Sequence, residues 1–358
     1  MRFLFKTRYA QDLQLLKHNG QRFWYGLLLV ALLIAPALLP GNLVSQMSFI
    51  FIYSIVGLGL MLLAGYTGQM SIGHAAFMAV GAYTEAVLAA QGWPFVLSLA
   101  MAALLSAAAG VVVGLPALRL KGIYLSIATL AFGFIIEELI TRWDSVTGGN
   151  AGFTVKPIQI FGEPLRGNVN LYYVSLVVTV LALLLMLNLL RSPAGRAFIA
   201  IRDSEVSAQS MGIHVARFKT MSFALSAAFA GVGGALYAHK IGFISPEQFT
   251  VVQSIELLML IVIGGLGSIH GVFFGAIFMI ALPQFIAVLK DALPGDLSGS
   301  AGLQPLAFGL ILLGFLLFEP MGLYGRWLKV RTYLELFPYY RRGMFKRQRS
   351  YQKSERLK

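Results

Sequence analysis

The chain has 358 residues, of which 58% are hydrophobic and 12% are charged, with no cysteine and a formal net charge of +13. Soluble domains usually carry about 25% charged residues, so this composition excludes a disordered chain, a disulfide-stapled secreted domain and most soluble enzymes. It predicts a protein embedded in a membrane.

The N-terminal residues are polar and mixed in character, and no small-residue cleavage site follows a short apolar core. A cleaved signal peptide has a short apolar core near its start and a small-residue cleavage site after that core. This N-terminus does not show that pattern, so we expect residues 1–23 to form a cytoplasmic segment. Residues 24–325 are predicted to be the transmembrane domain, and residues 326–358 a basic cytoplasmic tail.

Ten apolar stretches follow one another along the chain, and each predicts a membrane-spanning helix. They cover roughly 24–40, 44–65, 71–91, 95–116, 123–141, 171–190, 220–239, 251–266, 271–289 and 303–322. The eighth and ninth stretches are short and are joined by a glycine-rich turn. A pair of half-helices or a re-entrant segment is therefore an alternative interpretation of these two stretches.

The positions of the basic residues predict the orientation, because Lys and Arg concentrate on the cytoplasmic side. With the N-terminus inside, 23 of the 28 basic residues fall inside: five before the first span, two at Arg119 and Lys121, five in residues 191–219 and eleven in the tail. We therefore expect an all-α polytopic membrane protein of about ten transmembrane helices with both termini cytoplasmic.

The tail accounts for most of the excess charge, since residues 326–358 hold eleven basic and two acidic residues with aromatic residues between them. This pattern is compatible with nucleic-acid binding, but a basic segment that directly follows a span more often lies on anionic lipid or on a cytoplasmic partner. We expect membrane lipids or a partner, and no nucleic acid.

The run GYTGQMSIGHAAF at residues 65–77 is dense in glycine and small polar residues. Glycine allows a helix to break, and a break at membrane depth is tolerated only where protein or a water-filled cavity meets the freed backbone groups. The candidate substrate-path residues here are Thr67, Gly68, Gln69, Ser71, Gly73 and His74. The alternative is a tight cytoplasmic turn with close helix packing. A similar run, GGLGSIHG at residues 264–271, hints at pseudo-symmetry.

Carboxylates also occur inside the predicted spans, where each costs about 2.5–3.5 kcal/mol to insert and therefore needs a partner, water or a role. They are Glu85, Glu137, Glu138, Glu256 and Glu319. The first four fall in the outer parts of their helices and could form an acidic mouth for a substrate ammonium group, with Glu85 and Glu256 as path candidates. The alternative is placement at the interface, with Glu138 paired to Arg142.

Residues 191–219 form a long polar interruption on the predicted cytoplasmic side. Ser204 or Asp203 can cap the start of a short helix, and Gly212 suits its end. Such a helix would give an ATPase subunit a surface to push on, whereas the alternative is an ordinary charged loop. The chain has no nucleotide-binding P-loop, no H-E-x-x-H and no G-x-S-x-G motif, so neither nucleotide hydrolysis nor metal chemistry is expected of it.

Several of these motifs resemble those of a known transport family. The pattern Glu205-x-x-Ala208-x-x-x-Gly212 is similar to the coupling motif of ATP-binding cassette (ABC) importer permeases. The chain from about residue 45 to 326 resembles the LivM family of branched-chain amino acid importers through GYTGQMSIGHAAF (65–77), KGIYLSIATL (121–130), TGGNAG (147–152), GGLGSIHG (264–271) and FEPMGLYG (318–325).

The resemblance implies a type II-like permease fold in the bacterial inner membrane and a heterodimer with a LivH-like second permease. It also implies two ABC ATPase subunits, which would bind ATP and magnesium, and a periplasmic binding protein. This chain would bind no cofactor and carry no catalytic residue. The coupling residues would be Arg202, Asp203, Glu205, Ala208 and Gly212.

Branched-chain or other hydrophobic amino acids are the first expectation for the substrate, and urea, short amides or small organic acids the second. An ATP-independent secondary carrier or channel is the main alternative of another class, and an intramembrane enzyme is a more distant one.

Overall fold

The structure is a computed structural model that describes residues 19–118, 120, 122–160, 163–164, 167–291 and 321–336, with seven further positions between 306 and 317. Helices dominate the described part. The helices are α1 (Asn19–Leu38), α2 (Gly41–Leu60, continued by a π-helical turn at Met61–Tyr66), α3 (His74–Ala90), α4 (Phe95–Ala117), α5 (Ile123–Arg142), α6 (Asp144–Thr147), α7 (Asn168–Arg191), α8 (Pro193–Asp203), α9 (Glu205–Ser210), α10 (Val215–Ile241), α11 (Val251–Gly264), α12 (Ile269–Asp291) and α13 (Gly322–Leu336).

Two small antiparallel ribbons lie in the connections between the helices. Strand β1 (Phe153–Thr154) pairs with β4 (Phe243–Ile244), and β2 (Gln159–Ile160) pairs with β3 (Glu163–Pro164). The first ribbon joins the segment that follows α5 to the end of α10. Short 3₁₀ turns occupy Gly149–Ala151 and Pro246–Phe249.

In the described part of the chain, seven helices are long and apolar enough to cross a membrane: α2, α4, α5, α7, α10, α11 with the turn before it, and α12. The shorter helices α1 and α3 are also apolar. These nine match the first nine predicted stretches, and the protein is a multi-pass membrane protein. The expectation of a short ninth stretch is wrong, because α12 runs for 23 residues.

Some predictions fall wholly or mostly outside the described residues. These are residues 1–18 of the N-terminal segment, Arg119 and Lys121, most of the tenth stretch, Glu319, and residues 337–358 of the tail. The count of ten spans therefore stays a prediction.

Helix α10 lies at the centre of the bundle and packs on α2, α3 and α4. Glycines allow this close packing: a Cβ atom at Gly81 of α3 would overlap the backbone of Gly231, and one at Gly234 would overlap the carbonyl oxygen of Met78. In a membrane, helix association depends on such close contact because lipid is as apolar as a leucine side chain. The small residues of α10 thus allow α3 to pack closely against α10.

A second close contact joins α11 to α12. A Cβ atom at Gly264 would overlap the carbonyl oxygen of Gly271, and one at Gly275 would overlap that of Leu260. Helix α12 also packs on α2, so the glycine-rich turn between α11 and α12 lies close to the end of α2.

Candidate functional site

The connection between α2 and α3 is a break in the helical structure. Helix α2 ends in the π-helical turn Met61–Tyr66, and residues 67–73 have no regular secondary structure before α3 begins at His74. Buried and exposed residues alternate along the break: Thr67 and Gln69 are at most 4% exposed and Ser71 is fully buried, whereas Met70 is 53% exposed.

Side chains from two other helices satisfy backbone groups of this break. The amide of Ile72 donates to Oγ1 of Thr129 on α5 at 3.0 Å, and the amide of Ala75 donates to Oγ of Ser254 on α11 at 2.9 Å. Backbone groups freed from a helix need such partners when they are buried. The break is therefore built into the packing of α5 and α11.

Glycine is required at two positions of the break. Gly68 has a φ of +74°, a conformation that favours glycine, and a Cβ atom at Gly73 would overlap the carbonyl oxygen of Thr129. Both interpretations of the sequence expected an interruption of the helical structure here, and the close approach of Gly73 to Thr129 also fits a tight turn with close helix packing.

Three buried polar side chains of the break have polar atoms without a hydrogen-bond partner in the described part of the chain: both amide atoms of Gln69, Oγ of Ser71 and Nδ1 of His74. His74 Nε2 lies 3.3 Å from Oγ of Ser226, whose hydroxyl donates to the carbonyl oxygen of Gly59 at 2.6 Å. This arrangement places the imidazole proton on Nε2 and leaves Nδ1 as an acceptor. The break thus holds buried polar atoms for which the described residues supply no hydrogen-bond partner.

The second glycine-rich run, residues 264–271, lies directly against the first. The amide of Gly267 approaches Sδ of Met61 at 3.2 Å, and a Cβ atom at Gly65 would lie 2.9 Å from the nitrogen of Gly267. The two similar runs of the sequence therefore meet in space, although the similarity itself is too short to define a repeat.

Helices α8 and α9 form the predicted polar interruption. Ser192 caps α8 by accepting from the amide of Gly195, and Ser204 caps α9 by accepting from the amide of Ser207 at 3.2 Å. Gly212 has a φ of +82° just after α9. The predicted cap at Ser204 and the helix end at Gly212 are confirmed, and the segment is a helix pair and not an irregular loop.

Arg202, at the end of α8, joins this helix pair to the break. Its Nη1 donates to the carbonyl oxygen of Gly65 at 3.2 Å, and its Nε and Nη2 donate to Oδ1 of Asp203 at 3.0 and 2.9 Å. Its aliphatic part packs beside Gly68. Sequence reasoning placed Arg202 in the coupling segment but did not foresee this contact, which depends on folding across more than a hundred residues.

Glu205, the first residue of α9, forms an ion pair with Lys219 of α10 at 2.5 Å. The Lys219 side chain is only 4% exposed, so this pair ties α9 to the central helix. Ala208 lies on the buried face of α9, whereas the side chains of Val206 and Met211 are 76% and 80% exposed. Exposed apolar side chains on a polar helix pair are typical of a surface that binds another protein.

The intramembrane carboxylates do not share one environment. Oε1 of Glu85, a fully buried residue, accepts from Oγ of Ser98 at 2.8 Å and from Nε2 of His239 at 2.9 Å. An open acidic mouth that includes Glu85 is therefore not present in this chain, because its carboxylate is held between helices. Glu138 pairs with Arg142 on the surface of α5, as the alternative interpretation expected.

Glu256 of α11 is half-buried and lies near the phenol groups of Tyr53 and Tyr237. It remains a path candidate, and its aromatic neighbours were not foreseen from the sequence. The sequence did contain one indication of this cluster. Phe49 and Tyr53 are four residues apart on α2, and Tyr237 and Lys240 are three apart on α10, so each pair lies on one face of its helix. Among the described residues, no group of three His, Asp or Glu side chains could hold a metal ion.

Comparison with known proteins gives a consistent result. The family described as branched-chain amino acid transport system / permease component matches residues 42–318. The high-affinity branched-chain amino acid transport system permease protein LivM of Escherichia coli K12 is 38% identical over 291 residues, which cover 73% of this chain and 68% of that protein.

More distant similarity extends to two other transport proteins. The permease protein BraD of a high-affinity branched-chain amino acid transport system in Pseudomonas aeruginosa is 26% identical over 308 residues, 76% of this chain and 92% of its own. The autoinducer 2 import system permease protein LsrC of Yersinia enterocolitica is 24% identical over 329 residues, 87% of this chain and 86% of its own. No solved structure matches the chain.

Proposed function

The chain belongs to the family of branched-chain amino acid transport permeases and is a permease subunit of an ABC importer, and on that premise we propose how it works and what it carries. It forms the translocation path for branched-chain or other hydrophobic amino acids together with a LivH-like second permease. Two ABC ATPases supply the energy, and a periplasmic binding protein delivers the substrate. The chain itself is not an enzyme and binds no cofactor, since ATP and magnesium bind to the ATPases.

In this proposal the protein lies in the bacterial inner membrane with ten spans and both termini cytoplasmic. Residues 1–23 are a cytoplasmic segment, residues 24–325 the permease domain and residues 326–358 a basic tail. The distribution of basic residues supports this orientation, because it places the α8–α9 pair on the cytoplasmic side, within reach of the ATPases.

The observation that carries the proposal is the double attachment of the α8–α9 pair. Through the ion pair of Glu205 with Lys219 it holds the start of α10, and through Arg202 it holds the carbonyl oxygen of Gly65 at the helix break. An ATPase that closes on Val206 and Met211 would therefore move the central helix and the break together.

This arrangement gives a role to the candidates of the coupling segment and of the helix break. Arg202 and Asp203 transmit movement to the break, Glu205 transmits it to α10, and Ala208 and Gly212 shape the surface that contacts the ATPase. A second group lines the cytoplasmic end of the path: Thr67, Gly68, Gln69, Ser71, Gly73 and His74. The buried polar atoms without partners on Gln69, Ser71 and His74 support this placement.

Charge reversal at Glu205 tests the coupling role in the reconstituted importer. Glu205→Lys would place two ammonium groups together, and we expect ATP hydrolysis without amino acid uptake. The double variant Glu205→Lys with Lys219→Glu restores the ion pair, so we expect it to regain part of the uptake. Full coupling in the single variant would overturn the role of Glu205.

The substrate and the energy source are tested with the same preparation. We expect uptake of leucine that requires ATP, the ATPases and the binding protein. Uptake of urea, short amides or organic acids in place of leucine would keep the machine and change its substrate. Uptake by this chain alone, driven by a proton or sodium gradient, would show a secondary carrier instead.

A further inference from the structure

Three helices each place two neighbouring side chains in one half-buried cluster near the end of the bundle opposite Arg202. Helix α2 contributes residues four apart, and α10 and α11 each contribute residues three apart, which are spacings that put both side chains on one face of a helix. The aromatic–charged cluster consists of Phe49, Tyr53, Tyr237, Lys240, Gln253 and Glu256, and all six are half-buried.

The rings of this cluster form a continuous aromatic surface. The ring of Tyr237 lies 6.4 Å from that of Phe49 and 6.4 Å from that of Tyr53, measured between centroids, and it also contacts Phe249 at 5.9 Å. The amide nitrogen of Gln253 donates to the hydroxyl of Tyr53 at 3.1 Å, which fixes the position of that ring.

Opposite charges flank the aromatic surface. The carboxylate of Glu256 lies near the phenols of Tyr53 and Tyr237. The ammonium group of Lys240 lies 5.4 Å from the centroid of Phe49 and donates to Oδ1 of Asn168 at 3.3 Å. An ammonium group has three N–H donors, so this single bond leaves Lys240 able to bind an anion as well.

On helix α11, the cluster residues lie on a different face from the most exposed side chains. Val252 and Ile255 are 64% and 43% exposed and mark the outward face of this helix. Gln253 and Glu256 lie on the neighbouring face, toward α2 and α10. A carboxylate turned inward at this depth needs a partner or a role, and no ion pair of Glu256 is present among the described residues.

We propose that the aromatic–charged cluster is the site where this subunit receives an amino acid as a zwitterion. Glu256 binds the substrate ammonium, the faces of Tyr53 and Tyr237 add cation–π attraction, and Lys240 binds the substrate carboxylate. An apolar substrate side chain packs on the aromatic rings. This inference rests on the proposed function, since it names the residues and the chemical class at the outer part of the same path.

Uptake by the assembled importer tests the inference first. With saturating binding protein, we expect Glu256→Gln and Tyr237→Leu to reduce leucine uptake about tenfold, the size of one charge-assisted contact. Glu256→Asp should retain an intermediate rate because it keeps the carboxylate. Glu247→Gln is the matched control, since this exposed carboxylate lies at the same end of α11 outside the cluster, and it should leave uptake unchanged.

Ligand protection separates binding from a structural role. The natural chain has no cysteine, so Gln253→Cys and Val252→Cys each provide a single reactive thiol. In the assembled importer we expect leucine to slow maleimide labelling at position 253 about tenfold, and 4-methylpentanoate, which lacks the ammonium group, to give little protection. Labelling of position 252, on the exposed face of α11, should not respond to either compound.

The outcomes distinguish this inference from the proposed function. If the natural importer takes up leucine but neither the Glu256 variants nor the labelling at position 253 responds, the cluster is not a binding site while the proposed function stands. If the natural importer fails to take up any amino acid, the proposed function fails as well. Equal protection by leucine and 4-methylpentanoate would overturn the role of Glu256.

Discussion

Glu85 and Glu256 show at the residue scale why similar intramembrane carboxylates have different roles. Glu85 has two hydrogen-bond partners, Ser98 and His239, and the side chains of this carboxylate and of His239 are 0% and 3% exposed. A buried charge is stable only when its partners remain in place. The pair therefore ties α3 to α10, whereas the side chain of Glu256 is only half-buried.

Removing one partner of the buried pair should destabilise the protein. His239→Ala leaves the Glu85 carboxylate without its imidazole, and we expect a loss of about 3–5 kcal/mol of stability. Thermal unfolding of the purified protein in detergent measures it. The control is Glu138→Gln, which removes a mostly exposed pair on α5 worth about 0.3–0.5 kcal/mol. Equal unfolding temperatures for the two variants would contradict a structural role for Glu85.

Helix α10 is the element that connects the two ends of the proposed mechanism. It begins beside α9, where Lys219 pairs with Glu205, and it ends with Tyr237 and Lys240 in the aromatic–charged cluster. These two ends of the helix are about 30 Å apart, at 1.5 Å per residue. Because α10 is one continuous helix packed on α2, α3 and α4, the proposed mechanism expects a displacement at α9 to be carried along it to the cluster.

The glycine contact between α3 and α10 predicts a position where the bundle does not accept a larger side chain. Gly81→Leu would force a side chain into the backbone of Gly231, so we expect at least the 1–3 kcal/mol cost of overpacking and poor recovery of folded protein. Gly26→Ala is the control, since open space surrounds Gly26 on α1. Size-exclusion chromatography and thermal unfolding compare the two. A well-folded Gly81→Leu variant would show that α3 and α10 do not need this close contact.

At the scale of the whole molecule, the cluster and the α8–α9 pair occupy opposite ends of the bundle, since α10 connects them. The family implies partner ATPase and substrate-binding subunits, and each end suits one of them. The polar helix pair with exposed Val206 and Met211 suits the ATPase, and the aromatic–charged cluster suits a substrate delivered from the other side.

Thiol labelling in intact cells tests this orientation. Gln91 follows α3 and Gln209 lies on α9, and both are exposed. A membrane-impermeant maleimide should label Gln91→Cys from outside and should label Gln209→Cys only after the membrane is permeabilised. The natural chain, which has no cysteine, is the blank. Labelling with the opposite sidedness would invert the proposed topology.

The sequence by itself determined the membrane character, nine of the described helices, the caps of α9 and the position of the glycine-rich run at residues 65–77, where a helix break and a tight turn were both open. These features depend on neighbouring residues: apolar length, cap chemistry and glycine content act within a few turns of the chain. The family also followed from local motifs, since each motif keeps its residues together in sequence.

Only the tertiary structure decided which distant residues meet. It placed Arg202 on Gly65, brought the two glycine-rich runs together, buried Glu85 against His239 and gathered the aromatic–charged cluster from three helices. Such contacts depend on which face each helix presents to its neighbours. That face is sensitive to small changes, because successive residues are rotated by about 100° around the helix axis. The sequence therefore named residues of the coupling segment and the break, and packing alone determined what they touch.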